Sequence, residues 1–485
     1  MIEFLAYLAA ATIVIVGIGV WGYKIGKKTA VDYMIAGGAL GTIVSYFWIA
    51  FVIYSAWTFF GFAGYLYLRG PAYHLYPFLA HLGFAIAIWV IGRKLFKARE
   101  KYGVITPVEA LSRRYGSNFV RVMLAVILIT FIVPYIGIQI TAIGAALQAF
   151  VGLPYIAGVL YMAAVMLILI YLGGMRSVAW ANVMWGTIMM LAFLGSLAWV
   201  VSASGKSIPE MAVALYEKDP VKMGLGYYTI SYAMSIAIAG FTVFCWPHVL
   251  QATLGMRSED VLKKVTFAWL VIGGFAVYLG AYLWGNIVAP YLSPGLTGKA
   301  ADVAVLVTIK KFTPSAWVMF VILGVLAAAI STAATQLMTA AIFTSNDLIG
   351  VARKTMRDEA KILWTKIICA VVVALSTIFA YLYPVEIARM LDLIASPGYS
   401  MITAALLGLF WRRGTKEGVI AATIVGVLLL ACGLFYPPLT LELHPVVVPL
   451  SVSLVVFFVV SLVTPPPPRE CLEAFFEEIQ RPSSD

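Results

Sequence analysis

Long apolar stretches alternate with short polar turns along nearly the whole chain. They lie at about 2–22, 42–68, 75–93, 118–150, 155–172, 177–203, 224–250, 264–288, 315–344, 362–382, 386–411, 417–435 and 445–463. Most are apolar on every side and long enough to cross a hydrocarbon core of about 30 Å as a helix. The pattern predicts an all-α membrane protein of about thirteen spans. Hydrophobic residues make up 62% of the 485 and charged residues 11%, which excludes a soluble domain of this length. The formal charge of +11 does not mark a nucleic-acid surface. With the N-terminus outside, most Lys and Arg fall in cytoplasmic segments, so the charge reads as topology and contact with anionic lipid. The expected setting is a plasma membrane, N-terminus out and C-terminus in. The first apolar stretch lacks a basic n-region, so it reads as a retained helix rather than a cleaved signal. The four cysteines, Cys245, Cys369, Cys432 and Cys471, suggest neither a disulfide framework nor a zinc site.

One stretch organises the rest: residues 321–347, VILGVLAAAISTAATQLMTAAIFTSND. Small residues fill its middle, and Ser331 and Thr332 form an adjacent hydroxyl pair. In an α-helix the carbonyl of residue i points toward residues i+3 and i+4, so the Ala328 carbonyl lies beside both hydroxyls. Three neutral oxygens suit a weakly bound, hard monovalent cation. They are too poor in charge for calcium and offer no nitrogen or sulfur to a transition metal. The same residues also fit close helix packing, and the stretch alone leaves both readings open.

The second informative span is 42–68. Ser55 and Thr58 share one face and are followed by Gly61 and Gly64. A polar pair with two glycines at mid-span fits a discontinuous helix lining a cavity, or a small-residue packing groove. Gln139 is a lone amide at depth and fits an interhelix clamp or a substrate contact equally. A basic segment with Thr106 before Pro107 predicts a short cytoplasmic helix from about Pro107. His248, after Trp246 and Pro247, reads as a structural hydrogen-bonder near a cytoplasmic turn.

These motifs resemble the sodium:solute symporter family over about residues 1–463. The signature A-A-x-x-S-T/S with a terminal Asp is matched by Ala327, Ala328, Ser331, Thr332 and Asp347. DYMIAGG (32–38), the Thr106, Glu109, Arg114, Tyr115, Gly116 run, Trp246-Pro247-His248 and 396–418 also resemble family segments. The resemblance implies a LeuT-type 5+5 inverted repeat with discontinuous helices, its core at 42–203 and 224–411. The peripheral helices would be 2–22, 417–435 and 445–463, in one domain to residue 463 with a cytoplasmic tail at 464–485. It implies sodium bound by the backbone carbonyls of Phe51, Tyr54 and Ala328 and the hydroxyls of Ser331 and Thr332. Substrate would meet Ser55, Thr58, Gln139 and His81, while Gly61, Gly64, Asn182 and Pro247 would serve gating or structure. Two departures stand out. Asn182 and Ile53 occupy positions where many or some relatives carry Asp, which favours one sodium ion per cycle.

The implied function is sodium-coupled symport of a small organic solute by a monomer, with sodium as coupling ion and no other cofactor. An apolar, aromatic cavity with few ionisable groups suits a carboxylate (a monocarboxylate, pantothenate-like compound or amino acid) better than a sugar. No nucleotide-binding fingerprint or nucleophile elbow points to an enzyme. A proton-coupled carrier would rest on His81 or Asp392. A channel would want a polar filter or charged ring, which the sequence lacks.

Overall fold

The computed structural model describes residues 2–26, 29–353, 356–382 and 391–478. Among them the chain is helical, and its only paired extended backbone is an isolated parallel bridge between Leu40 and Met256. Seven described helices are long and apolar enough to cross a membrane: Pro71–Tyr102, Asn118–Val151, Tyr155–Ser204, Glu259–Leu292, Ser315–Ala352, Asp358–Leu382 and Lys416–Phe435. Two more spans form as bent pairs, Thr42–Ile53 with Thr58–Arg69 at 52° and Ile230–Cys245 with Pro247–Thr253 at 40°.

The expected spans 155–172 and 177–203 lie within one 50-residue stretch, Tyr155–Ser204. Gly174, with φ 59° and ψ −154°, divides it into two helices at the expected boundary. Only glycine adopts that backbone readily, and a Cβ there would meet the Tyr33 carbonyl at 2.7 Å. Of the stretch expected at 386–411, residues 386–390 lie outside the described ones. The remainder holds helical turns at Leu391–Ala395, Ser396–Ser400 and Thr403–Leu407.

Ser315–Ala352 is the buried axis, and every residue from Gly324 to Phe343 is buried. It packs on Tyr155–Ser204 and Asn118–Val151. Its small residues make this possible: a Cβ on Gly324 would meet that of Ala192 at 2.6 Å. Close backbone approach replaces the hydrophobic drive that lipid does not supply.

Both bends fall where the sequence interrupts the ladder. Tyr54 leaves the helix at φ −77°, ψ 94°. This break precedes Gly61, which lies in the wide turn Thr58–Phe62. Gly64 serves another purpose, since a Cβ there would stand 2.7 Å from Asp302 Oδ1 in the short helix Lys299–Asp302. At the second bend Trp246 has ψ 116°, and Pro247 opens the next helix at its first position.

In the basic segment between the spans, Thr106 caps Pro107–Tyr115 by accepting the Glu109 N–H at 2.9 Å, and Gly116 ends it in the left-handed region. Buried Asp347 accepts from the Thr106 hydroxyl at 3.0 Å and from Arg121 Nε at 2.6 Å. The Arg114 guanidinium donates to the carbonyls of Gly408, Trp411, Arg412 and Gly414.

Candidate functional site

A helix that stops inside the protein leaves its last carbonyls without intrahelical donors. At the end of Thr42–Ile53, the Ala50 carbonyl accepts the Tyr54 N–H at 2.8 Å. The next two are met from another helix. Ser331 Oγ donates to Phe51 O at 2.8 Å, and Thr332 Oγ1 lies 3.3 Å from Phe51 O and 3.1 Å from Val52 O. Ser331 Oγ also lies 2.9 Å from Ala328 O, as the i, i+3 spacing dictates. Five uncharged oxygens therefore gather at a helix C-terminus, the negative end of its dipole. The donor set fits a hard monovalent cation.

Four of the five sequence-derived sodium ligands, Phe51, Ala328, Ser331 and Thr332, are thus in one place. No hydroxyl of the signature helix bonds the Tyr54 carbonyl; Thr332 meets that of Val52 as well as that of Phe51. The bulky Phe51 ring is accommodated by Gly186, where a Cβ would lie 2.2 Å from it. About one turn earlier, Trp48 Nε1 donates to Thr335 Oγ1 at 3.2 Å, and Asn182 Nδ2 lies 3.5 Å from Trp48 O. Asn182 therefore sets its amide against the Trp48 backbone carbonyl, while the indole is held by Thr335. Among the described residues no group of three His, Cys, Asp or Glu could hold a metal.

Beyond the break, the new helical segment finds partners within the protein. Ala56 N–H donates to Gln139 Oε1 at 3.1 Å, Trp57 N–H to Ser55 Oγ at 3.2 Å, and Thr58 N–H to Ser55 O at 2.9 Å. Gln139 is thus a clamp between helices, and Ser55 caps its own segment. Four buried polar atoms around this break lack hydrogen-bond partners: the Tyr54 hydroxyl, Trp57 Nε1, Thr58 Oγ1 and Gln139 Nε2.

Tyr135, one turn before Gln139, lies close to the Ser55 hydroxyl. Its ring centre lies 5.3 Å from that of Trp246 and 5.9 Å from that of His248. Tyr399 adds a fourth ring, 6.1 Å from His248. His248 is fully buried, and neither of its nitrogens nor Trp246 Nε1 has a partner. The two breaks therefore meet through Tyr135, with unpartnered polar atoms on both sides. His248 was legible only as a structural hydrogen-bonder, because its surroundings come from distant helices. The Pro247 break beside it was the available signal. His81 lies one ring away from the first break: Nε2 pairs with Leu270 O at 3.1 Å, and its ring lies 5.1 Å from Trp269, which is 5.5 Å from Tyr54.

The model of the sodium:solute symporter family matches residues 33–426. The chain is 24% identical over 453 residues to a sodium/proline symporter of Haemophilus influenzae, covering 88% of each chain. It is 24% identical over 473 residues to a sodium/pantothenate symporter of Escherichia coli, covering 94% of this chain and 96% of the relative. Its fold is similar to the substrate-bound, outward-open structure of a Na+-coupled sialic acid symporter, with TM-score 0.78 and 16% identity over 96% of this chain and 98% of the other. A closed structure of Mhp1, a nucleobase-cation-symport-1 transporter, gives TM-score 0.55 and 12% identity over 91% of this chain and 97% of the other. With broken helices, a hydroxyl clip and a family match over most of its length, this chain belongs to the sodium:solute symporter family, multi-pass membrane carriers that couple solute movement to sodium.

Proposed function

We propose that the chain carries a small carboxylate with one sodium ion per cycle. The observation that supports this best is the set of buried polar atoms at the two breaks: Thr58 Oγ1, Gln139 Nε2, Trp246 Nε1 and the His248 imidazole. All can donate hydrogen bonds, though the hydroxyl and the imidazole can also accept. Burying such groups unpaired costs about 1–3 kcal/mol each, so a ligand that accepts from them is strongly favoured there. The named relatives fit this chemistry, since proline and pantothenate each bear a carboxylate.

Sodium is held by Ser331, Thr332 and the carbonyls of Phe51, Val52 and Ala328. It replaces two interhelix hydrogen bonds and clips the first break to the signature helix. The clip orders the segment that carries Thr58 and so raises substrate affinity. Substrate raises sodium affinity by the same factor. Release of both into a low-sodium cytoplasm drives accumulation by alternating access. Asn182 and the Trp48–Thr335 bond in place of an acid favour a single ion.

The architecture behind this reading has thirteen spans, N-terminus out, in a monomer of the plasma membrane. Residues 42–203 and 224–411 form the two inverted halves of one domain that ends near residue 463. The deciding experiment is a thermal-shift screen of purified protein against carboxylates, their amides, amino acids and sugars, in sodium and in potassium. Stabilisation by free acids only in sodium is the expected outcome. Equal stabilisation by the amides refutes the carboxylate assignment, and equal effects in potassium refute the coupling.

A further inference from the structure

The chain after the last apolar helix returns to the inner face and docks there. Val447–Val463 is followed by Thr464, four prolines and the segment Arg469–Glu478. Arg413 holds the start of this run through the Leu462 and Thr464 carbonyls at 3.1 and 2.7 Å. Four consecutive prolines favour an extended, stiff spacer. At its far end Phe475 is fully buried and Phe476 is 8% exposed.

Phe476 sits among three cations that come from three separate elements. Its ring centre is 5.2 Å from Lys94 Nζ, 5.3 Å from Arg114 Cζ and 5.1 Å from Arg412 Cζ. Phe475 stacks on Tyr102 with centroids 6.5 Å apart, and Glu477 lies 3.5 Å from Arg412. Desolvated cation–π contacts are favourable, and the ring also separates charges that otherwise repel. Lys94 and Tyr102 end Pro71–Tyr102 in the first half of the chain. Arg114 belongs to the short inner helix, and Arg412 to the turn after Thr403–Leu407, immediately past the end of the second half. Arg99, on the same stretch as Lys94, donates to the Leu254 and Met256 carbonyls at 2.6 Å each. The inner end of Pro71–Tyr102 is thereby tied to the helix that follows the second break.

We propose that Arg469–Glu478 is a strap across the cytoplasmic mouth that slows opening to the inside. Alternating access moves one half of such a carrier against the other. The strap spans inner ends contributed by both halves, so those ends separate only if Phe475 and Phe476 leave their seats. Undocking speeds inward opening; fixing the strap arrests it. This rests on the symporter reading for its effect on transport, but the docking itself does not.

The test uses the full chain in liposomes. In a Cys432→Ser, Cys471→Ser background, Tyr102→Cys with Phe475→Cys is joined by a short, reducible thiol cross-linker. Sodium-driven uptake of radiolabelled proline and of pantothenate is measured before and after reduction. Cross-linking is expected to cut uptake at least fivefold, with recovery on reduction and no effect on either single-cysteine protein. Phe475→Ala with Phe476→Ala is expected to raise the initial rate two- to fivefold at unchanged sodium half-saturation. Hydrogen exchange in Pro247–Thr253 is a readout that needs no substrate, and it should quicken in the double alanine protein and slow in the cross-linked one. Full uptake by the cross-linked protein overturns the proposal. So does unchanged exchange in Pro247–Thr253 in both proteins. If neither probe is taken up by any form while exchange responds as expected, the strap stands and the solute assignment fails.

Discussion

The Ser331 hydroxyl lies 2.8 Å from the Phe51 carbonyl, joining residues 280 apart in sequence. It satisfies a carbonyl that the end of a helix has orphaned, the oxygen that the proposed sodium ion would take. Ser331→Ala and Thr332→Ala should each raise the sodium concentration for half-maximal transport by tenfold or more, about 1.4 kcal/mol. Folding and membrane insertion should persist, because each truncates one small side chain (Thr332→Ala also loses a methyl) and adds no bulk. Uptake measured across a sodium series checks this, and unchanged dependence in both variants sinks the site.

Gly186 makes room for Phe51. A Cβ placed on it would stand 2.2 Å from the ring, closer than real contacts allow. Gly186→Ala should therefore displace Phe51 and its carbonyl, at a cost of about 1–3 kcal/mol for overpacking. Sodium half-saturation should rise, and Phe51→Leu in the same chain should restore part of it. A second change that leaves the first defect untouched would show that Gly186 acts through another neighbour.

Asn182 stands beside Trp48 with its Oδ1 buried and unpartnered. No carboxylate at this position balances a second cation. The Hill coefficient for sodium should be near one, measured as initial uptake rate against sodium concentration. A value approaching two would require a second site elsewhere.

Thr58→Val keeps the shape of the side chain and removes a hydroxyl that has no partner within the protein. Substrate affinity should fall by about 1–3 kcal/mol if that hydroxyl binds the ligand. His248→Phe keeps the aromatic box and removes both nitrogens, and it should weaken substrate in the same way. Sodium binding without substrate should barely change in either variant. Isothermal titration with the best ligand from the thermal-shift screen separates the two affinities, and wild-type substrate affinity in both variants would exclude these groups from the site.

Asp347 is buried and paired with Arg121, whose other acidic partner is Glu109 at 3.6 Å. Asp347→Ala leaves a mostly buried guanidinium with its weaker partner. The loss should approach about 3 kcal/mol, in the range for breaking a buried pair. Glu109→Ala, at a more exposed carboxylate, should cost less. Thermal unfolding in detergent ranks the two, and the reverse order would show that Glu109 carries the charge balance.

The apolar runs determined that this chain is helical and crosses a membrane many times, because only satisfied backbone survives in hydrocarbon. The Ser331–Thr332 pair and its i−3 carbonyl were equally legible, since helical spacing fixes them. Tertiary structure decided the rest. The ladder ends at Ile53 rather than at Gly61 or Gly64, and Val52 rather than Tyr54 faces Thr332. Which carbonyl meets which hydroxyl depends on where two helices cross, and no local pattern encodes that. Gln139 was a lone amide in sequence, and packing placed its oxygen on Ala56 while leaving its nitrogen open. His248 lost its expected partners because Tyr135, Trp246 and Tyr399, drawn from separate elements, enclose it in aromatic surface. The tail read as a short acidic end. Only the fold brings Lys94, Arg114 and Arg412 together and so gives Phe476 a place to bind.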